Sequence, residues 1–424
     1  MTGETQETER GWLPIARFTK HYWTFLFAEN LYDIGLYIFV LLYNLYLLDL
    51  GYREDFLGWV TSAMNAGCIV GSLPAAGIVR GLGLKRTVIC GSAGVALMCV
   101  LRTAALGGPW LIGTAFVAGM ISSVWAVSLI PVVAALTNDR NRAMGYSLWS
   151  GWGIGLGVIL GVVAGQMTGW IRNAGLASSN VPARQIALLI GSATALLSPL
   201  LLMRLPLVRS KKPEAKVFPR SPFVKRFLLA FTVWNLGVGA FNPFFTAYFS
   251  RQLHMSVPRI GFVFSASQFV QLGALLAAPF IIRRFGIVPG IALMQAGVAV
   301  SLALLATEPA ALMAGVTYAM FGAFQFGSEP ATLTLLMSRV EAEQRGGASS
   351  LSFFVTSVSQ AASSAVAGMS IVRFGYRPLL IFASLTTALA AGLFYRLLAE
   401  PAEGDREKDG ALRGPQPTAA SSTS

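Results

Sequence analysis

Residues 184–207 read RQIALLIGSATALLSPLLLMRLPL, and residues 208–226 read VRSKKPEAKVFPRSPFVKR. The first stretch is long and apolar enough to cross a bilayer, since about 30 Å of hydrocarbon needs about 20 residues at about 1.5 Å each. The second is a polar break that carries most of the eight Lys and Arg residues found between Arg204 and Arg226. It falls midway along a chain of 424 residues. An apolar span followed by a basic break at the midpoint divides the chain into two membrane halves.

Working outward, the pattern repeats. Apolar spans are expected near 19–48, 56–79, 87–107, 109–137, 143–168 and 184–207, then near 223–250, 257–282, 287–307, 309–338, 347–371 and 377–399. Residues 1–18 read as an N-terminal segment, 208–222 as the basic linker and 400–424 as a tail. The tail is rich in charge, Ser, Pro and Gly, a composition that does not bury enough apolar surface to fold. The fold class is therefore an all-α integral membrane protein of about twelve transmembrane helices in two pseudo-symmetric six-helix halves.

Composition agrees. The chain is 54% hydrophobic and 12% charged, with a mean hydropathy of +0.62. Soluble domains carry about 25% charged residues. The net charge of +13 is not a nucleic-acid signal, because the charges sit in breaks between apolar runs rather than as a surface patch. Cys68, Cys90 and Cys99 are scattered through apolar runs, and His21 and His254 sit at span ends. Neither disulfide nor metal spacing results, so no cofactor and no metal is expected. The first apolar run is too long for a signal-peptide core and contains acids.

The even span count places both termini on one side. With the N-terminus inside, 24 of the 32 Lys and Arg residues fall on the cytoplasmic side, a positive-inside bias. The expected location is the cell (inner or plasma) membrane, multi-pass, with both termini cytoplasmic.

A shift of about 203 residues aligns the halves. Phe25, Ala28, Asp33 and Gly35 fall on Phe227, Ala230, Asn235 and Gly237; Gly58 falls on Gly261, Asn65 on Gln268, Arg80 on Arg283, Gly83 on Gly286, Gly119 on Gly322, Arg142 on Arg345 and Ser147 on Ser350. Parallel six-span repeats are a known transporter plan, with the substrate site near mid-membrane between them.

Over about residues 15–400 the chain resembles the major facilitator superfamily. The resemblance rests on six plus six spans, the basic linker and the loop after span 2. That loop, Gly77 to Arg86, reads Gly-Ile-Val-Arg-Gly-Leu-Gly-Leu-Lys-Arg. Gly83, Lys85 and Arg86 fit the end of the family's loop motif, whereas Arg80 stands where the family has an acid. Arg283, Arg284 and Gly286 form the second copy. The resemblance implies a secondary transporter working by alternating access, no enzyme, and a functional monomer. It implies that spans 1, 4, 7 and 10 line a central cavity. The Gly-Pro motif that drug antiporters of the family often carry in span 5 is absent; Gly153, Gly157, Gly161 and Gly165 repeat every four residues there instead. Such a stripe lets another helix approach closely, and a helix of the opposite half is the expected partner.

Three acids lie deep in spans: Glu29, Asp33 and Glu329. A carboxylate in hydrocarbon is costly and usually faces a cavity or a partner. Glu29 and Asp33 are one turn apart on one face, which Tyr37 continues. Glu29 lies nine residues past Lys20 and Glu329 ten before Arg339, about 14 and 15 Å of helix rise, so the two glutamates share a depth. Acids so placed can take up and release protons or pair with a cationic solute. The alternative is that they bond neighbouring helices and only lock the fold. With no basic residue equally deep, anionic substrates such as phosphate are disfavoured. On the spans that the resemblance assigns to the cavity lie Tyr37, Trp125, Asn235 and Gln325. Trp125, Trp149, Trp152 and Trp234 are candidates to stack on an organic solute or simply to pack, and Gln268 and Gln271 are candidates for ligand contact or helix–helix glue. Asn242-Pro243 is expected to kink span 7. The cytoplasmic gate set is Arg80, Gly83, Arg142, Arg283, Gly286 and Arg345, with Asp139, Glu341 and Glu343 as natural partners.

The expected function is transport of a small organic solute, neutral or cationic, a drug or metabolite with export favoured, coupled to protons. The partners are the solute, protons and the bilayer. The alternatives are an uptake uniporter for a nutrient, or a receptor of transporter ancestry.

Overall fold

Thr19 and Ser221 open matching helices. Each hydroxyl accepts the backbone N–H three residues on, from Tyr22 and Val224, at 3.3 Å. That satisfies one of the donors a helix start leaves open. The computed structural model describes residues 18–104, 106–138, 141–207, 221–341 and 344–399. The first half holds α1 (Lys20–Asp49), α2 (Glu54–Leu82), α3 (Leu84–Thr103), α4 (Gly108–Leu136), α5 (Arg142–Asn173) and α6 (Asn180–Leu202). The second holds α7 (Pro222–Phe241), α8 (Val257–Phe285), α9 (Ile287–Leu305), α10 (Ala311–Ser338), α11 (Arg345–Phe374) and α12 (Tyr376–Leu398). No strand occurs among the described residues. The N-terminal segment to residue 17, linker residues 208–220, the tail, Asp139 and Glu343 lie outside them.

Eleven membrane-length apolar helices are present among the described residues. The remaining long helix is α10, at 28 residues. It carries Gln325, Ser328 and Glu329 within its length, and these lower its hydropathy. Twelve helices in two halves thus match the expected spans. The clearest boundary difference is in span 7. Pro243 has no N–H for the ladder, and α7 stops at Phe241. The chain continues as a 3-10 turn (Asn242–Phe244), a short α turn (Phe245–Ala247) and a π turn (Tyr248–Gln252).

The repeat is now visible in the helices themselves. α2, α3, α4 and α5 each begin 203 residues before α8, α9, α10 and α11. The turns α2–α3 and α8–α9 both pivot on a glycine in the left-handed region, Gly83 at φ +82° and Gly286 at φ +88°. Equivalent pairs pack in each half: α2 on α4 and α8 on α10, α1 on α6 and α7 on α12, α3 on α6 and α9 on α12.

Two seams join the halves, α2 against α11 and α5 against α8. They are the same seam twice. At one, a side chain on Gly58 meets the Ser364 carbonyl at 2.5 Å and the Gly368 Cα at 3.3 Å. At the other, Gly261 abuts the Gly161 carbonyl and the Gly165 Cα. Gly58, Ser364 and Gly368 are the repeat mates of Gly261, Gly161 and Gly165. Backbones this close leave no room for a Cβ, which is why the span-5 glycine stripe exists. The stripe does meet a helix of the opposite half, as expected.

Cross-half hydrogen bonds fall at one end of the bundle, beside the C-terminus of α1. Asn44 Nδ2 donates to the Pro243 carbonyl at 2.6 Å, Ser62 Oγ to the Ala361 carbonyl at 2.6 Å, and the Tyr376 hydroxyl to Glu54 Oε1 at 3.2 Å. Arg251 donates to the Leu48 carbonyl at 3.4 Å. This end is closed. At the other end, α4 and α5 form no extended contact with α10, nor α4 with α11. Within the first half the closed end is pinned by Arg184, which is buried, lies 2.6 Å from Asp49 Oδ2 and donates to the Leu45 carbonyl.

Candidate functional site

Helix α1 carries a polar ladder on one face. Glu29, Asp33, Leu36 and Val40 fall at successive turns, the spacing that keeps side chains in one row. Leu36 and Val40 are open at 37% and 42% exposure. Asp33 is half-buried, and Glu29 is 2% exposed. Glu29 Oε1 has no hydrogen-bond partner. A buried carboxylate oxygen without a donor is costly unless it is protonated or meets a ligand.

Asp33 reaches α5 at Gly153. A Cβ there lies 3.3 Å from Asp33 Oδ2, a tight contact that the carboxylate would have to yield to. Tyr37, one turn further along α1, donates its hydroxyl to the Gly153 carbonyl at 3.1 Å. The same oxygen accepts the Gln268 amide N–H of α8 at 3.2 Å. Gly157 lies under this pair, since a Cβ there meets Gln268 Nε2 at 2.6 Å and the Tyr37 ring at 2.8 Å. Asp33, Tyr37, Gly153, Gly157 and Gln268 therefore form one cluster from both halves. It lies at the inner limit of the α5–α8 seam, where the closed end stops and the open end begins.

An aromatic wall flanks the acids. Tyr32 lies on Trp125 of α4 with ring centroids 4.3 Å apart, and Trp125 Nε1 is buried without an acceptor. Phe25 meets Trp149 of α5 at 6.4 Å, and Tyr22 bonds the Gly145 carbonyl at 2.7 Å. In the second half, α10 carries a polar row of its own. Tyr318, Gly322, Gln325 and Glu329 share a helical face, and Gly322 of that face packs on Gln271 and Ser267 of α8. Gln271 donates to Ser267 at 2.9 Å. Glu329 is exposed, and Gln325 Oε1 is buried without a partner.

The structure brings Asp33 and Tyr37 together with Gln268. Glu29 sits one turn from Asp33, and Glu329 is exposed on α10 of the second half. Asn235 lies elsewhere: it is buried in α7 with its amide on the Phe231 carbonyl at 2.8 Å. The repeat mate of Asp33 is thus spent within its own helix. Arg80, Arg283 and Arg345 are exposed at the open end, where Gly83 and Gly286 form the helix turns and Arg142 begins α5. Arg283 covers the Phe280 ring at 4.6 Å. Glu341 accepts the Gln344 amide at 2.9 Å, while Asp139 and Glu343 are outside the described residues. Sequence reading did not single out Tyr32, nor Gly153 and Gly157 as the floor under the acid; the glycine stripe signalled close packing on the opposite half but not on Tyr37 and Gln268.

The sequence profile of the Major Facilitator Superfamily matches residues 25–238 and again residues 227–422. The chain belongs to the Major Facilitator Superfamily. It is a multi-pass membrane protein and a transporter of that superfamily. Solved structures share the fold. The nucleoside transporter NupG (D323A mutant) superposes with a TM-score of 0.72 at 14% identity, covering 89% of this chain and 100% of that one. A bacterial homologue of the human lysosomal transporter Spinster, inward-facing and occupied, gives 0.69 at 14%, covering 90% and 98%. A bacterial homologue of the iron transporter ferroportin, inward-facing, gives 0.72 at 12%, covering 90% and 99%. At these identities the likeness is one of fold. No curated relative matches the chain by sequence.

Proposed function

We propose that this superfamily member moves a small organic solute, neutral or cationic, by alternating access, with export as its direction and proton movement as its drive. The observation that carries the reading is the cluster of Asp33, Tyr37, Gly153 and Gln268. It sets a half-buried acid against the point where the two halves meet. Asp33 stands one turn from Tyr37, whose hydroxyl takes the bond from Gln268 of the other half, so a charge change at Asp33 is felt beside that bond. Glu29 behind it and Glu329 on α10 supply two further carboxylates, and no Lys or Arg lies within the cluster. That charge pattern suits a cation or a proton.

The solved neighbours are titled for nucleosides, a lysosomal transporter and metals, so the cargo is argued from the site. Trp125 offers an indole N–H without an acceptor, and Gln268, Gln271 and Gln325 offer amides. Both suit a flat, partly polar molecule. Taking the basic end as cytoplasmic, the closed end faces outward, and the conformation is inward-facing in the cell membrane with both termini inside.

The test is substrate-induced proton movement in proteoliposomes, with a panel of cationic and neutral compounds. Wild type is compared with Glu29→Gln, Asp33→Asn and Glu329→Gln. Loss of proton flux in Asp33→Asn, with solute binding retained and melting unchanged, supports the reading. Solute flux without proton movement in every protein, wild type included, makes the chain a uniporter and refutes coupling.

A further inference from the structure

An open crevice of about 680 Å³ runs along the outside of the second half, between α8 and α10. Its lining is apolar along its depth, with Phe262, Val263, Val270, Val316 and Met320 among its walls. Two polar side chains hold its mouth: Arg259 in the first turn of α8 and Gln166 of α5. From Pro258 to Val270 the crevice follows α8 for about 18 Å of helix rise. That is close to one leaflet of a hydrocarbon core about 30 Å thick. Arg259 is exposed and has no ion-pair partner among the described residues.

The repeat supplies an internal control. The place of Arg259 is taken in the first half by Phe56, and that of Gln166 by Met369. Phe56 stacks on Tyr52 with centroids 4.0 Å apart, and it lies 3.3 Å from a Cβ built on Gly108. So the corresponding place in the first half is filled with rings and has no cation; the mate of Pro258 there is an acid, Asp55. One fold unit used twice has a ring-filled position beside an acid on one side and an open groove with a cationic mouth on the other.

We propose that this crevice binds one anionic phospholipid, with its phosphate on Arg259 and Gln166 and one acyl chain along α8 and α10. The depth matches a chain of one leaflet, and the charge sits only where a headgroup would lie. Gln166 belongs to the first half and the rest of the lining to the second. The lipid therefore bridges the α5–α8 seam and fits only while that seam is closed. Occupancy holds the transporter in the conformation described here.

The experiment uses full-length protein, delipidated and then reconstituted in nanodiscs of phosphatidylcholine with or without phosphatidylglycerol. Native mass spectrometry counts lipid retained on re-extraction, and spin labels across the closed end report the seam. Wild type is expected to retain about one phosphatidylglycerol per chain and to shift toward the closed seam when that lipid is present. Arg259→Phe, the residue its repeat mate already tolerates, should lower retention about fivefold, the value of one basic side chain against an anionic lipid. Ala266→Phe, which fills the groove while leaving the charge, should abolish retention. Arg259→Gln serves if the Phe variant folds poorly. Equal retention of phosphatidylcholine by wild type, or unchanged phosphatidylglycerol retention in both Arg259 variants, overturns the proposal.

Discussion

Tyr37 and Gln268 are bonded across the two halves at 3.2 Å, and the tyrosine spends its own proton on Gly153 of α5. The hydroxyl is thus acceptor for one half and donor within the other. A buried neutral hydrogen bond contributes about 1 kcal/mol. Tyr37→Phe and Gln268→Leu should each shift the conformational balance away from the closed seam by about fivefold, read as label distances across α5 and α8. The double variant should shift it no further than the larger single one, because both remove the same bond. Additive shifts would show that the bond is not the shared cause.

The glycine crossings make a sharper claim. Gly161 and Gly261 meet backbone to backbone, while Gly151 and Gly155 of the same helix face open space. Gly261→Leu should block closure and cut transport more than about tenfold, since bulk of that size forces packed elements apart. Gly155→Ala should transport as wild type. Equal activity of Gly261→Leu in a flux assay would mean that the seam does not need to close.

The ion pair of Asp49 with Arg184 is lopsided. The arginine side chain is 7% exposed and the aspartate 26%. Asp49→Asn leaves a buried guanidinium without its counter-charge and should cost about 3 kcal/mol. Arg184→Met leaves a carboxylate that water reaches and should cost less. Denaturation in mild detergent ranks the two, and the reverse order would contradict the burial argument.

Gly83 and Gly286 hold φ near +82° and +88° at equivalent turns. With ψ at 153° and 164° both lie where essentially only glycine goes, and alanine at either should cost about 1–3 kcal/mol through backbone strain alone. At Gly286 the nearest atom to the added group is Pro289 Cδ at 3.6 Å, an ordinary contact. Similar losses at both sites in a melting series would show that strain, not crowding, sets them.

The helices were legible because hydrocarbon demands a run of apolar residues, and the repeat because Gly58 and Gly261, or Gly83 and Gly286, carry the same backbone burden. The acids were legible because charge is rare at that depth. Asn235 was not, since an amide reads the same whether it faces a cavity or its own helix, and here it bonds to Phe231. The pairing of Tyr37 with Gln268 was hidden too. It joins residues 231 positions apart, through a crossing angle that no periodicity reveals. The unwinding after Phe241 followed from Pro243, but not the π turn that carries it on.

The two seams differ at one place. Where the first half has Tyr37 over Gly157, the second has Gly239 under Gln360, side chain and hollow exchanged. There Ser364 bonds the Gly239 carbonyl of α7 at 3.4 Å, within the second half, and the α2–α11 seam is crossed by Ser62 on the Ala361 carbonyl at 2.6 Å, neither of them an acid. News of what occupies the cavity can therefore reach only one of the two contacts. The other is deaf to cargo, and it behaves as the fixed edge about which a duplicated, outwardly symmetric machine turns.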